Sequence, residues 1–291
     1  MWKRPLRDVV MRCHVGNLRV SGVMARNVVA EMAQRWHLLL TSQGTTLWGE
    51  YMAGTTMASA FFKSEERVKV VVKTSAIEEL YVEAMAAGEV RGKAVYQDAS
   101  RAAALPEAGG VMRVSKVLYG AATPYDTSVE ACGVPELDWQ RFFDVSEQVP
   151  TIVRIDSEAD QDHTRTCGLI VQQMPRAEAH ERHYELEELA FDKLPFLATE
   201  LRQNTDLLAY LNELVPGAEI TDKHCKLVPL DYFCRCSKET YAQRLGAMCA
   251  TDLQHIAAET GDKGVDLTCH FCNDVHHFSA GELDNLIKSL P

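Results

Sequence analysis

The chain has 291 residues and a formal net charge of −11, with 46% hydrophobic and 24% charged residues. These are ordinary proportions for a soluble globular protein, with room for one large domain and an appendage or for two domains. The acidic balance argues against charge-driven binding to nucleic acid, which needs an excess of Lys and Arg, and no run reaches the roughly 18 apolar residues of a membrane span.

Residues 1–30 carry Lys3, Arg4, Arg7, Arg12, Arg19 and Arg26 against Asp8 alone, with no apolar core or cleavage site of a secretory signal. A cytoplasmic protein is expected; a mitochondrial presequence is the alternative that such a basic start allows. From there helical and strand patterns alternate. VMARNVVAEMAQRWHLLL (23–40) repeats apolar residues at helical spacing, and LWGEYMAGTTMASAFF (47–62) is apolar and rich in small residues, as a packed core helix is. VKVVVK (68–73) reads as a strand, followed by ELYVEAMA and VRGKAVY with Gly88 and Glu89 as a tight turn between them. VMRVSKVLYG (111–120), TIVRI (151–155) and CGLIVQQMP (167–175) are further strands. VPELDWQRFFDVSEQ (134–148) reads as a helix with Pro135 in its first turn. The pattern predicts a mixed α+β domain over residues 1–177, closing near Pro175.

The character then changes. EAHERHYELEE (178–188) is nearly all polar, and LPFLATELRQNTDLLAYLNELVPG (194–217) is helical, opening at Pro195 and stopping at Pro216-Gly217. Residues 178–233 are therefore expected to form a helical, marginally stable linker, against the plainer alternative of an ordinary surface helix pair. In the tail, 234–291, Ser237 can cap a helix KETYAQRLGAM whose Tyr241, Leu245 and Met248 share a face. TDLQHIAAE predicts a second helix, GDKG a turn and VDLTCHFC a strand. So small a unit buries little core and would gain from a metal staple.

Six of the nine cysteines fall between 225 and 272, unlike the even framework of a secreted disulfide scaffold. Cys234 and Cys236 flank a single arginine, and a bridge between them would close a very small ring. Metal binding and redox chemistry remain. Cys234-x-Cys236, thirty-two intervening residues and Cys269-x-x-Cys272 supply four thiolates, which suit tetrahedral Zn²⁺. Such an ion can be purely architectural, or it can hold sulfur as the oxidisable thiolate. His270, His276 and His277 beside the second pair are weaker ligand candidates, Cys249 is expected to be a packed thiol on a helix, and Cys225 an inert or modulating one. Cys13, Cys132 and Cys167 are scattered, and His37, His163, His180 and His183 have no spacing to a nucleophile. No phosphate loop, nucleophile elbow or HExxH motif is present, so nothing argues for an enzyme.

At these residues the chain resembles the heat-shock protein 33 family of redox-regulated holdase chaperones. FCRCS…CHFC followed by Phe278 matches the family's tail. LWGEYMAG…FFK (47–63), VRGKA (90–94, read as an Arg-Gly turn), DWQRFFDVSEQVPT (138–151) and GLIVQQMP (168–175) match its main domain. The resemblance implies a reduced, inactive state with one zinc ion on Cys234, Cys236, Cys269 and Cys272. It further implies oxidation to disulfides Cys234–Cys236 and Cys269–Cys272, loss of zinc, unfolding of the linker, and ATP-independent binding of unfolded clients by a dimer. Partners in nucleic acid or membrane are not expected. There are departures: TSAIEE (74–79) replaces a Gly-Asp-Gly-Pro-like turn, His276 or His277 stands where a tyrosine is common, and Cys225 and Cys249 are additional. A constitutive zinc-ribbon binding module is the second reading. A thiol–disulfide oxidoreductase using Cys269-His270-Phe271-Cys272 is the third, weakened by the lack of a βαβ pattern in the tail.

Overall fold

The structure is a computed structural model that describes residues 7–36, 42–63, 65–97, 108–159, 164–175, 182–190 and 207–289. The chain divides into two compact units, Met1–Phe233 and Cys234–Pro291.

The larger unit is α+β. Strands β1 (Val9–Val15) and β2 (Leu18–Ala25) form an antiparallel hairpin. Its turn rests on Gly16, at φ +53°, where a side chain would strike the Arg182 carbonyl. This hairpin, absent from the sequence expectation, takes the first residues of the stretch read as helix 23–40: Val23–Ala25 complete β2, and helix α1 (Asn27–Arg35) follows. Helix α2 (Ser42–Ser59) is next, then β3 (Arg67–Lys73), β4 (Ile77–Met85), β5 (Glu89–Tyr96), β6 (Gly110–Val117) and β7 (Tyr125–Ala131). Helix α3 (Pro135–Phe142) runs into a wider turn ending at Gln148, and β8 (Thr151–Ala159) and β9 (Thr164–Gln173) close the core. Gly88 takes φ +88° between β4 and β5, as the tight turn requires. Gly92 is a correction: Arg91 and Gly92 lie inside β5 rather than in a turn. The bare backbone there lets the Trp36 and Tyr232 side chains donate to the Gly92 carbonyl at 3.1 and 2.9 Å. In TSAIEE, Thr74 Oγ1 accepts from the amides of Ala76 and Ile77, doing the work of a glycine-rich turn.

Two sheets result. One has the order β11-β5-β4-β3-β6-β7, the other β10-β1-β2-β9-β8. Strands β10 (Cys225–Pro229) and β11 (Asp231–Tyr232) come from the stretch read as linker. Helix α2 packs on both sheets, which explains why it lacks a polar face: Trp48, Tyr51, Met52, Ala53 and Met57 are all buried. Asp138 ties α3 to it, accepting from the Tyr51 hydroxyl and from the amides of Cys132 and Gly133 at 2.8 and 3.1 Å.

The rest of the linker lies on the second sheet. The start of the helix read at 194–217, with Pro195, Leu197 and Leu201, falls outside the described residues; its last turns form α4 (Leu207–Leu214). Tyr184, Leu189, Leu207, Tyr210, Leu211, Leu214, Val215 and Ile220 pack against Met11, Cys13, Val15, Leu18, Val20, Cys167, Leu169 and Val171. Polar anchors fix the path. The buried Asn17 amide accepts from the Tyr184 amide at 2.8 Å and donates to its carbonyl at 3.0 Å. Arg182 donates to the Gly217 carbonyl at 2.7 Å, and Asn212 makes a pair of bonds with the backbone of Ile220 at 2.8 and 2.9 Å.

Gly54 faces Trp139 so closely that a Cβ would overlap the indole. Gly54→Ala is therefore expected to destabilise the larger unit by roughly 1–3 kcal/mol, read as a lower denaturant midpoint; an unchanged midpoint would refute the close approach. Glu50, half-buried beside Ser157, Asp156 and Glu136, has its carboxyl raised to about 7 from 4.5, chiefly by burial. Folded protein thus binds more protons than unfolded between those values, and this group's contribution worsens as pH rises through them. Glu50→Gln should raise the melting temperature at pH 8, by up to roughly 3 kcal/mol in stability, and change it little at pH 5.

Candidate metal centre

The smaller unit is built around its sulfurs. After Cys234 and Cys236, helix α5 (Lys238–Gly246) starts at Ser237, whose hydroxyl accepts from the Thr240 amide at 3.2 Å as the sequence predicts. Helix α6 (Ala250–Thr260) leads to a hairpin of β12 (Val265–Thr268) and β13 (Val275–Phe278), and helix α7 (Ala280–Ser289) packs beneath. The strand read through CHFC is a correction: β12 stops at Thr268, and Cys269–Cys272 form the turn to β13. Asn273 makes that reversal possible by adopting φ 61°, with the Cys269 amide donating to the Asp274 carbonyl at 2.8 Å. The core is small: Leu245, Leu253, Phe278 and Leu283, flanked by Tyr241, Met248, Val265 and Leu267.

The turn delivers Cys269 and Cys272, both buried, against the half-buried Cys234 and Cys236. All four Sγ atoms lie within 4.8 Å of one another. Two close approaches run across the pairs, Cys234–Cys269 at 3.8 Å and Cys236–Cys272 at 3.3 Å, and the sulfurs within each pair also meet. Zn–S bonds of about 2.3 Å in a tetrahedron place the sulfurs about 3.8 Å apart, so the donor set fits this ion in number, type and spacing. The electrostatics agree. Burial raises the Cys269 thiol, but the amides of Phe271 and Cys272 and the Cys272 and Tyr241 side chains outweigh it and bring it down to about 7. Burial pushes Cys236 up to about 12 and raises Cys272 further, each thiol also resisting charge beside its neighbours. Cys269 is thus poised to ionise while Cys236 and Cys272 resist it, an arrangement that a divalent cation would turn toward thiolates.

Two surrounding groups were not foreseen in these roles. Tyr241, on α5, hydrogen-bonds Cys269 and lies 4.9 Å from the His276 ring. His276, considered above as a competing ligand, places Nε2 3.4 Å from the Cys236 sulfur, where its N–H can support a thiolate. His277 turns instead to Asp266, at 2.7 Å, and His270 is exposed. Cys249 is a correction: it is exposed at the start of α6 rather than packed. Cys167 is buried in β9 and pushed up to about 12, while Cys225 lies against Cys13. His183 pairs with Glu185 at 3.0 Å; His37, His163 and His180 fall outside the described residues.

The family model described as Hsp33 protein matches residues 8–279. The chain belongs to the Hsp33 family. Among curated relatives, the 33 kDa chaperonin of Clostridioides difficile is 30% identical, covering 98% of this chain and 100% of its own length. The 33 kDa chaperonin of Oceanobacillus iheyensis is 27% identical over 93% of this chain and 95% of the relative. The crystal structure of the Thermotoga maritima 33 kDa chaperonin, an Hsp33 homologue, shares the fold with a TM-score of 0.80 at 22% identity, covering 97% of this chain and 98% of that one. This Hsp33-family chain thus has a chaperone's kinship along nearly its whole length, with four cysteines placed to hold a metal ion. Among the described residues no helix is long and apolar enough to cross a membrane.

Metal removal should act locally. Reduced protein is expected to carry about one zinc per chain, and Cys272→Ser to carry none. Chelation should speed hydrogen exchange across α5–α7 while the amides of β3–β9 keep their protection. Uniform loss of protection in both units would contradict a local role for the metal.

Proposed function

We propose that this protein is a redox-regulated, ATP-independent holdase that acts by binding unfolded proteins rather than by catalysing a reaction. The observation that carries this reading is the pairing of a four-sulfur cluster in one unit with a sheet in the other whose apolar face is covered by the linker. In the reduced state Cys234, Cys236, Cys269 and Cys272 hold one zinc ion, which when bound keeps the sulfurs as thiolates and adds its binding energy to the small unit. That energy matters because four buried side chains at about 1.5–3 kcal/mol each contribute an amount comparable to the roughly 10–16 kcal/mol of a structural zinc site.

Peroxide acts on the sulfurs. A thiolate attacks one peroxide oxygen and becomes a sulfenic acid while the other oxygen leaves as hydroxide; the neighbouring thiolate displaces the sulfenic oxygen as a second hydroxide, forming the disulfide, and two protons from solvent turn both into water. The family resemblance supports pairing Cys234 with Cys236 and Cys269 with Cys272, and since all four sulfurs lie within 4.8 Å, local movement suffices. Each bridge would use up two of the four sulfurs that would hold the metal, and the small unit would then be without its staple. Residues 178–233, the linker of a three-part chain (1–177, 178–233, 234–291), then unfold, baring Met11, Val15, Leu18, Val20, Leu169 and Val171 for unfolded clients. The activated molecule dimerises through such surface. A reducing compartment, the cytoplasm, keeps the switch off.

The test compares reduced and peroxide-treated protein for suppression of light scattering by a heat-denatured client, with zinc release followed in the same samples. Suppression only after oxidation, rising with zinc release, is expected. Equal activity in both states would favour a constitutive zinc-binding module instead.

A further inference from the structure

Two cysteines far from the metal centre meet across the sheet. Cys13 on β1 and Cys225 on β10 are directly opposite each other in the antiparallel ladder, and their sulfurs are 2.9 Å apart. The neighbouring pair carries the hydrogen bond, from the His14 amide to the His224 carbonyl, so Cys13 and Cys225 occupy a non-hydrogen-bonded position. Opposed Cα atoms there are typically about 4.5 Å apart, within the span a disulfide bridges. Both side chains belong to the apolar cluster that the linker forms with the sheet: Cys13 is fully buried in it and Cys225 is half-buried at its edge.

We propose that Cys13 and Cys225 are a second oxidisable site, forming a cross-strand disulfide that pins the last part of the linker to the core sheet and opposes its release. Cys225, the more accessible sulfur, meets the peroxide. As thiolate, its proton passed to solvent, it attacks one oxygen, the O–O bond breaks, and a sulfenic acid and hydroxide result, the hydroxide taking that proton back to become one water. Cys13 then attacks the Cys225 sulfur, the S–O bond breaks, and the oxygen leaves as a second water with the remaining thiol proton. Two thiols lose two electrons and one peroxide gains them. The bridge joins residues 212 apart in sequence. It keeps β10 on β1 even when the segment before it has lifted away, so strong oxidation would both release the linker and limit how far it opens. This consequence rests on the function proposed above; the formation of the bridge does not.

The full-length protein is treated with peroxide, blocked with N-ethylmaleimide and mapped by non-reducing tryptic digestion, with released zinc measured in the same samples. A linked peptide pair containing Cys13 and Cys225 is expected. Limited trypsin cleavage of native oxidised protein after Lys226, inside β10, should be about fivefold slower than in Cys225→Ser, with Cys13→Ala matching Cys225→Ser and dithiothreitol abolishing the difference. Alkylatable Cys13 and Cys225 after zinc has been released, or cleavage at equal rates in wild type and both variants, would overturn this inference while leaving the metal switch standing. A bridge formed while zinc stays bound would do the reverse, sustaining the second site and sinking the switch.

Discussion

Four sulfurs held within 4.8 Å of one another cannot all carry charge without a cation among them. The small unit makes this constraint the centre of its fold. The turn that carries Cys269 and Cys272 aims backbone amides at one sulfur and buries the next, and Tyr241 and His276 supply donors from α5 and β13. The amides, Tyr241 and His276 lower the cost of a thiolate at the sulfurs they face, while burial raises it at Cys236 and Cys272. Such a cluster is a place where a metal ion could hold the fold together, which the unit's small apolar core does little to do by itself.

The larger unit is stable by different means. Helix α2 is buried between two sheets, Asp138 is satisfied by Tyr51 and two amides, and the buried Glu83 carboxylate lies 3.0 Å from Arg91 and 3.3 Å from Arg67. Burial alone would raise the Glu83 carboxyl; the Tyr81 hydroxyl and the arginines hold it below the usual carboxylate range. The one thiol among these contacts is that of Cys132, which hydrogen-bonds Asp138 within the larger unit. These contacts hold the platform of β3–β7 without calling on the four cysteines of the smaller unit.

Local chemistry was legible in the sequence and long-range pairing was not. The spacing of Cys234, Cys236, Cys269 and Cys272 announces a four-thiolate site because so few other arrangements of close cysteines make physical sense, and Ser237 announces its helix because the cap is a contact with Thr240, three residues on. The β1–β2 hairpin went unread although VVMRCHVGNLRV has a glycine-asparagine turn in its middle: the basic residues that alternate through it resemble a targeting segment, and its partners are 140 or more residues away in β9 and β10. β10 itself is half exposed and weakly apolar, a strand only because β1 offers an open edge. Cys13 and Cys225, each unremarkable in its own segment, become a pair through that ladder alone.

The stretch 178–233 is attached to the sheets in two different ways. Between Arg182 and Ile220 its described backbone contributes no strand to either sheet. It is held by apolar side chains laid on the sheet face and by a few side-chain bonds from Asn17, Arg182 and Asn212. Contacts of that kind are lost together once the packing loosens, because each depends on the others to exclude water. The ladder of β10 on β1 and the two-residue pairing of β11 with β5 are different, since their backbone bonds belong to the sheets. Among the described residues of 178–233, backbone ladders thus begin at Cys225, which sits opposite a partner that could make the attachment covalent.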